Sequence, residues 1–190
     1  MFFGWARPRP TEWRFAKALC LGLDGAGKSA LLQRAGDPSA QLDGIAPTSG
    51  FNVRTVVVPP TLKLEVWEVG GSVNMRRFWG RYVSPDVDAL LWVVDGADEA
   101  RVSESAAELT ALLKAEPQLR FKPLLVLANK TEEPPGAIAD RLCLQGLRKE
   151  RLVLGPWQVA VVSVRECARL AAALTWLSDR LQGLATSEYD

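Results

Sequence analysis

Histidine is absent from all 190 residues. That removes every catalytic dyad or triad built on imidazole, and most zinc sites with it. Cysteine is scarce, with Cys20, Cys143 and Cys167 at scattered spacings. Such a set makes no disulfide framework. Cys20 and Cys167 fall in apolar segments and read as buried thiols of a reducing compartment. No cysteine lies in the closing SEYD, so no prenyl anchor is expected. No apolar run approaches the ~20 residues that span a bilayer. The leader MFFGWARPRP carries two prolines and no long apolar centre, so it does not read as a signal peptide. Neither sign of charge dominates. With a net charge of +1, no global field recruits nucleic acid or an acidic membrane. Only the start is locally basic, with Arg7, Arg9, Arg14 and Lys17 against Glu12.

What remains is an ordinary globular composition, 48% hydrophobic and 24% charged, in a length suited to one domain. Strand and helix patterns alternate. FAKALCLGL (15–23) reads as a buried strand, followed by a glycine-rich turn and the helical KSALLQRAG. FNVRTVVV (51–58) and TLKLEVWEV (61–69) read as a hairpin around Pro59-Pro60, the second run alternating Leu62, Leu64 and Val66 with Lys63, Glu65 and Trp67. DALLWVVD (88–95), KPLLVLANK (122–130) and PWQVAVVSV (156–164) read as further strands. Val102, Ala106, Leu109 and Leu113 share one helical face, and the last helix places Cys167, Leu170, Ala171, Leu174, Leu177 and Leu181 on a stripe. Six strands and about five helices predict an α/β doubly wound sheet, mostly parallel, with one antiparallel hairpin. Ligands in such sheets sit beyond the carboxyl ends of the strands. The expected organisation is an extension (1–14), one domain (15–183) and a tail (184–190).

Gly22-Leu23-Asp24-Gly25-Ala26-Gly27-Lys28-Ser29 fits G-x-x-x-x-G-K-[ST] and lies between a strand and a helix, the context this motif requires. Its glycines let backbone N–H groups curl around phosphate oxygens, and the helix N-terminus adds a favourable dipole. Asp24 to Ala30 are therefore candidate nucleotide contacts. Lys28 would neutralise the β and γ phosphates and the Ser29 hydroxyl would ligate Mg²⁺.

With GLDGAGKS (22–29), the segments PTSGFN (47–52), WEVGG (67–71), NKTE (129–132) and SVR (163–165) follow in order. Over roughly residues 17–182 the chain resembles the Arf and Arf-like family of small GTPases. The resemblance implies the P-loop small-GTPase fold and roles for single residues. Thr48 would ligate Mg²⁺ and sense the γ phosphate, and Gly71 would offer that phosphate its N–H. Asn129 and Lys130 would frame the guanine ring, Glu132 would read its edge, and the Val164 N–H, between Ser163 and Arg165, would face its O6. Phe51, Trp67 and Tyr82 match the aromatic trio shown to effectors. Trp67 is expected on the less buried hairpin face, rimmed by Arg76, Arg77 and Arg81, as suits a protein interface.

Four positions depart from the family pattern. Ser72 stands where glutamine usually holds the attacking water, and its hydroxyl lies two bonds closer to the backbone. Glu68 replaces the aspartate that orients Mg²⁺ through water. Glu132 replaces the guanine-reading aspartate; its extra methylene displaces both oxygens, or leaves the side chain a solvated charge. Phe2 replaces the glycine that is myristoylated. Phe2, Phe3 and Trp5 leave three readings of the leader open: docking on its own domain, membrane contact, or disorder.

The expectation is a guanine-nucleotide switch using GTP, GDP and Mg²⁺. Residues 44–52 and 68–83 would order with GTP, and intrinsic hydrolysis would be very slow. The alternatives are a pseudo-GTPase scaffold and a P-loop kinase or ATPase. Effectors, an exchange factor and an activating protein are the implied partners of a monomer that does not bind nucleic acid. The expected setting is cytoplasmic, with peripheral contact to an intracellular membrane through residues 1–14 left open.

Overall fold

A computed structural model describes residues 12–132, 134–142 and 154–186. Cys143 and the leader through residue 11, with its three readings, lie outside the described residues. Strands β1 (Arg14–Leu21), β2 (Phe51–Val58), β3 (Leu62–Val69), β4 (Ala89–Asp95), β5 (Leu124–Asn129) and β6 (Trp157–Val162) alternate with helices α1 (Lys28–Gly36), α2 (Val73–Arg76), α3 (Glu99–Ala115), α4 (Pro135–Arg141) and α5 (Cys167–Thr186). The sheet order is β2-β3-β1-β4-β5-β6, and only the β2–β3 hairpin is antiparallel. The architecture is the six-stranded, five-helix one expected.

The reason lies in strand periodicity. β5 is buried along its whole length and β4 up to Val94, as strands covered on both faces must be. Successive side chains alternate between two cores. Leu19, Leu21, Trp92 and Val94 pack with α3, whereas Ala18, Cys20, Leu91 and Val93 pack with α1 and α5. β3 buries Leu62, Leu64 and Val66 and turns Lys63, Glu65 and Trp67 outward. α3 buries the expected Val102, Ala106, Leu109 and Leu113, and its N-cap Asp98 accepts from the Arg101 N–H.

The stripe on α5 needs one correction. Leu170, Leu174, Leu177 and Leu181 are buried, but Ala171 is exposed and Cys167 only half-buried. At 100° per residue, Ala171 turns away beside Leu170, and Ala173 takes the inward place. α5 also continues through Thr186, into the stretch read as tail. The carboxyl ends of β1, β3, β4, β5 and β6 meet at one edge, and the loops that follow them build the site.

Candidate functional site: the cleft around the phosphate loop

The loop after β1 turns into α1 at Gly27, whose φ of 93° is left-handed. A Cβ there would also lie 2.3 Å from Asn129 Nδ2, so only glycine fits. Lys28 is 6% exposed, and its Nζ donates to the carbonyls of Gly22 at 2.8 Å and Leu23 at 2.9 Å. Burial lowers its pKa, opposed by the nearby Cys20 and Glu68. Burial and the Glu68 charge push the Cys20 thiol up to about 12, which keeps it an inert core residue.

Glu68 is fully buried near the end of β3. Its Oε1 accepts from the Ser29 hydroxyl and, at 3.1 Å, from Thr48 Oγ1. The two hydroxyl oxygens lie 3.2 Å apart. Glu68 Oε2 is buried and has no hydrogen-bond partner among the described residues. Two hydroxyls and a carboxylate with spare lone pairs are the hard oxygen donors that suit Mg²⁺.

The turn after β3 is tied down on every side. The Gly70 N–H donates to Gly50 O at 2.9 Å, and Trp79 Nε1 donates to Gly70 O at 3.0 Å. Gly71 O accepts from the Asp24 N–H at 3.1 Å. Ser72 is the exposed N-cap of α2, and its hydroxyl makes no capping bond. Asp24, Lys28, Ser29, Thr48, Glu68 and Ser72 line one cleft of about 500 Å³.

At the end of β5, Asn129 is buried and its Nδ2 donates to Ala26 O at 2.9 Å. Lys130, at a left-handed φ of 61°, donates to Gly25 O at 2.7 Å and Asp95 Oδ2 at 2.8 Å. Both residues therefore brace the phosphate loop. Glu132 is exposed, and its Oε2 accepts from Arg169 Nη1 of α5 at 3.1 Å. Beyond β6, Ser163 Oγ accepts from the Arg165 N–H at 3.1 Å, and Val164 packs on the α1–α5 core.

The model of the ADP-ribosylation factor family matches residues 10–181. The chain belongs to this family. ADP-ribosylation factor-like protein 2 of Drosophila melanogaster is 38% identical over 165 residues, covering 86% of either chain. ADP-ribosylation factor-like protein 3 of Chlamydomonas reinhardtii is 34% identical, covering 88% of this chain and 91% of the relative. ADP-ribosylation factor-like protein alp41 of Schizosaccharomyces pombe is 31% identical, covering 97% and 96%. A solved structure of the Arl6 BBS3 small GTPase from Trypanosoma brucei, with bound GppNp, superposes with a TM-score of 0.73. It covers 89% of this chain and 98% of its own at 23% identity, a likeness of fold. The chain is a divergent Arf-like small GTPase.

In this Arf-family chain the aromatic trio meets. Phe51 stacks on Trp67 at 5.3 Å between ring centroids and 4° between planes, and Tyr82 tilts against Phe51 at 5.6 Å. Lys17 Nζ sits 4.4 Å from the Trp67 centroid. One expected rim residue is not there. The Arg76 side chain is 7% exposed and turns to Asp24 and to α3 instead, because Glu104 and Glu108 offer it carboxylates. Arg77 and Arg81 stand 4.8 Å from the Phe78 ring. Asp95, Arg101 and Arg169, which the sequence did not bring forward, all contact predicted site residues. Of these, Asp95 alone carried a local signal, at the carboxyl end of a buried strand.

Proposed function

We propose that this Arf-like chain is a molecular switch that binds GDP and GTP with Mg²⁺, recruits effectors through Phe51, Trp67 and Tyr82, and hydrolyses GTP very slowly. The observation that carries this reading is the convergence of Ser29, Thr48 and Glu68 at the foot of the phosphate loop, with one Glu68 oxygen unsatisfied. The backbone amides of Asp24 to Ala30 and the Lys28 ammonium would hold the phosphates. Ser29 and Thr48 would hold the metal, with Glu68 behind them. Bound Mg²⁺ neutralises charge on the β and γ phosphates. Asn129, Lys130, Glu132, Ser163, Val164 and Arg165 would form the base side, and Gly71 would sense the γ phosphate.

Slow hydrolysis follows from Ser72. An amide at this position both donates to and accepts from a water in line with the γ phosphate, and a serine hydroxyl is too short to reach it. Ser72, together with the engagement of Glu132 by Arg169, favours a second reading: a pseudo-GTPase scaffold. As an Arf-like switch the protein would act as a monomer with an exchange factor and an activating protein, and without nucleic acid. Among the described residues no helix is long and apolar enough to cross a membrane. The proposed setting is cytoplasmic, and the three readings of the leader, membrane contact among them, stay open.

Titration with fluorescent GTP and GDP, with and without Mg²⁺, tests the reading. Ser29→Asn should abolish Mg²⁺-dependent GTP binding while the far-ultraviolet circular dichroism stays unchanged. Equal affinity for ATP, or no binding of any nucleotide, would overturn the guanine switch.

A further inference from the structure

Arg76, the last residue of α2, joins three parts of the molecule. Its Nε donates to Gly71 O at 2.8 Å. Its Nη1 donates to Glu104 Oε1 at 2.5 Å and to Glu108 Oε1 at 3.1 Å, two carboxylates one turn apart on α3. Its Nη2 reaches Asp24 Oδ1 in the phosphate loop at 3.4 Å. Arg101 closes the circuit by donating to Asp24 O at 2.7 Å, to Asp24 Oδ1 at 2.6 Å and to Glu104 Oε2 at 3.4 Å.

A guanidinium this well covered is tolerated only where its donors are matched. Burial alone would lower the Arg76 pKa, and Glu104 and Glu108 hold it above its ordinary value. The arrangement therefore fixes the direction of the Gly71 carbonyl, which also takes up the Asp24 N–H. The two backbones are in contact. A Cβ on Gly71 would lie 2.3 Å from Gly22 O and 2.4 Å from the Asp24 nitrogen.

We propose that Arg76 is a positioning residue that latches Gly71 onto the phosphate loop and so sets the preference between GDP and GTP. The inference rests on the guanine-switch reading, in which Gly71 senses the γ phosphate. A diphosphate held by the amides of Gly25 to Ser29 leaves the corner between Asp24 and Gly71 undisturbed. A third phosphate requires that corner, so GTP must first break the bonds from Arg76 and Asp24 to Gly71 O. Each molecule of GTP bound carries the cost of opening the latch, and GDP does not.

The test measures dissociation constants of the full chain for GDP and for GppNHp, both with Mg²⁺. Arg76→Ala removes the latch. The double variant Glu104→Gln/Glu108→Gln loosens it while keeping the arginine, and carries the test if Arg76→Ala fails to fold. The ratio of GppNHp to GDP dissociation constants should fall about tenfold in Arg76→Ala, because a charge-assisted hydrogen bond no longer opposes the third phosphate. In the double variant it should fall severalfold. A residue that merely supported the fold would weaken both nucleotides in parallel and leave the ratio unchanged, which would overturn the latch. A ratio that rises would overturn it equally, by showing that Arg76 favours the triphosphate. If the wild type bound neither nucleotide, the guanine reading itself would fall and the latch with it.

Discussion

Substitution of Ser72 by glutamine should speed single-turnover GTP hydrolysis about tenfold, a barrier change of ~1.4 kcal/mol, at little cost in stability. On the stability side the exchange costs almost nothing. An N-cap serine is ordinarily worth ~0.5–2 kcal/mol through its hydroxyl. Here the hydroxyl makes no capping bond, and α2 is closed by the Ser72 carbonyl, which accepts from Met75 N at 2.8 Å and Arg76 N at 3.1 Å. The side chain is exposed on the cleft wall, so a longer one meets no packed neighbour there. The unfolding free energy should therefore stay within the range of ordinary surface substitutions, about ±0.5 kcal/mol. On the catalytic side, the gain is limited by the arginines. A finger that neutralises charge in the transition state is worth ~10³–10⁵. Arg76 and Arg101 are committed to Asp24, Glu104 and Glu108, and Arg77 and Arg81 lie against Phe78. No finger is thus supplied by these residues, and positioning the water alone is expected to lower the barrier by ~1.4 kcal/mol. The assay is phosphate release from protein preloaded with GTP, at equal occupancy for both proteins. A variant no faster than wild type would refute the argument and shift the defect to Glu68 or Thr48. A gain of a thousandfold would refute it too, by revealing an arginine that acts in cis.

Two further outcomes follow from contacts outside the phosphate cleft. Arg169→Ala should release the Glu132 carboxylate for the base edge and raise discrimination of GTP over ITP, which lacks the 2-amino group, by roughly two- to fivefold, the scale of an exposed ion pair. Competition titrations check this, and an unchanged ratio would mean that Glu132 does not read the base. Trp67→Ala should abolish effector capture and leave nucleotide affinity unchanged. Losing its stack on Phe51, ~0.5–1.5 kcal/mol, and the overlying Lys17, ~0.5–1 kcal/mol, should lower stability by about 1–2.5 kcal/mol in urea unfolding. Aggregation of the variant would instead identify Trp67 as core.

What the sequence disclosed of this molecule was local. The alternation in β3, the unbroken apolar runs of β4 and β5, and the contiguous GLDGAGKS each carry their signal within about ten residues. Placement was legible wherever it depends on a backbone turn, as at Gly27, or on a residue that ends a buried strand, as at Asn129. It was illegible where two distant side chains decide each other's direction. Arg76 was expected with Arg77 and Arg81 at the rim of the exposed Trp67, yet its partners Glu104 and Glu108 lie 28 and 32 residues away. Glu132 was read as a displaced base contact, with a solvated charge as the alternative, and its partner Arg169 is 37 residues distant. Glu68 was expected to act on the metal through water, and its direct bonds to Ser29 and Thr48 depend on how β3 approaches α1. Ala171 was misplaced for a simpler reason. An alanine is tolerated on either face of a helix, so it gives little information about which way it points.

The indole of Trp79 has a practical consequence. It is 2% exposed, it donates to Gly70 O at 3.0 Å, and it stands edge-on to Trp92 at 5.5 Å, which itself donates to Ser105 Oγ at 2.9 Å. Gly70 precedes Gly71 in the turn proposed to sense the phosphate, so a rearrangement of that turn would alter the field and the hydrogen bond of a fluorophore sealed in the core. Trp92 lies on the buried strand β4, away from the turn itself. On the proposed switch reading, exchange of one nucleotide for another should change the Trp79 emission, so that it could be followed in real time on the unlabelled protein.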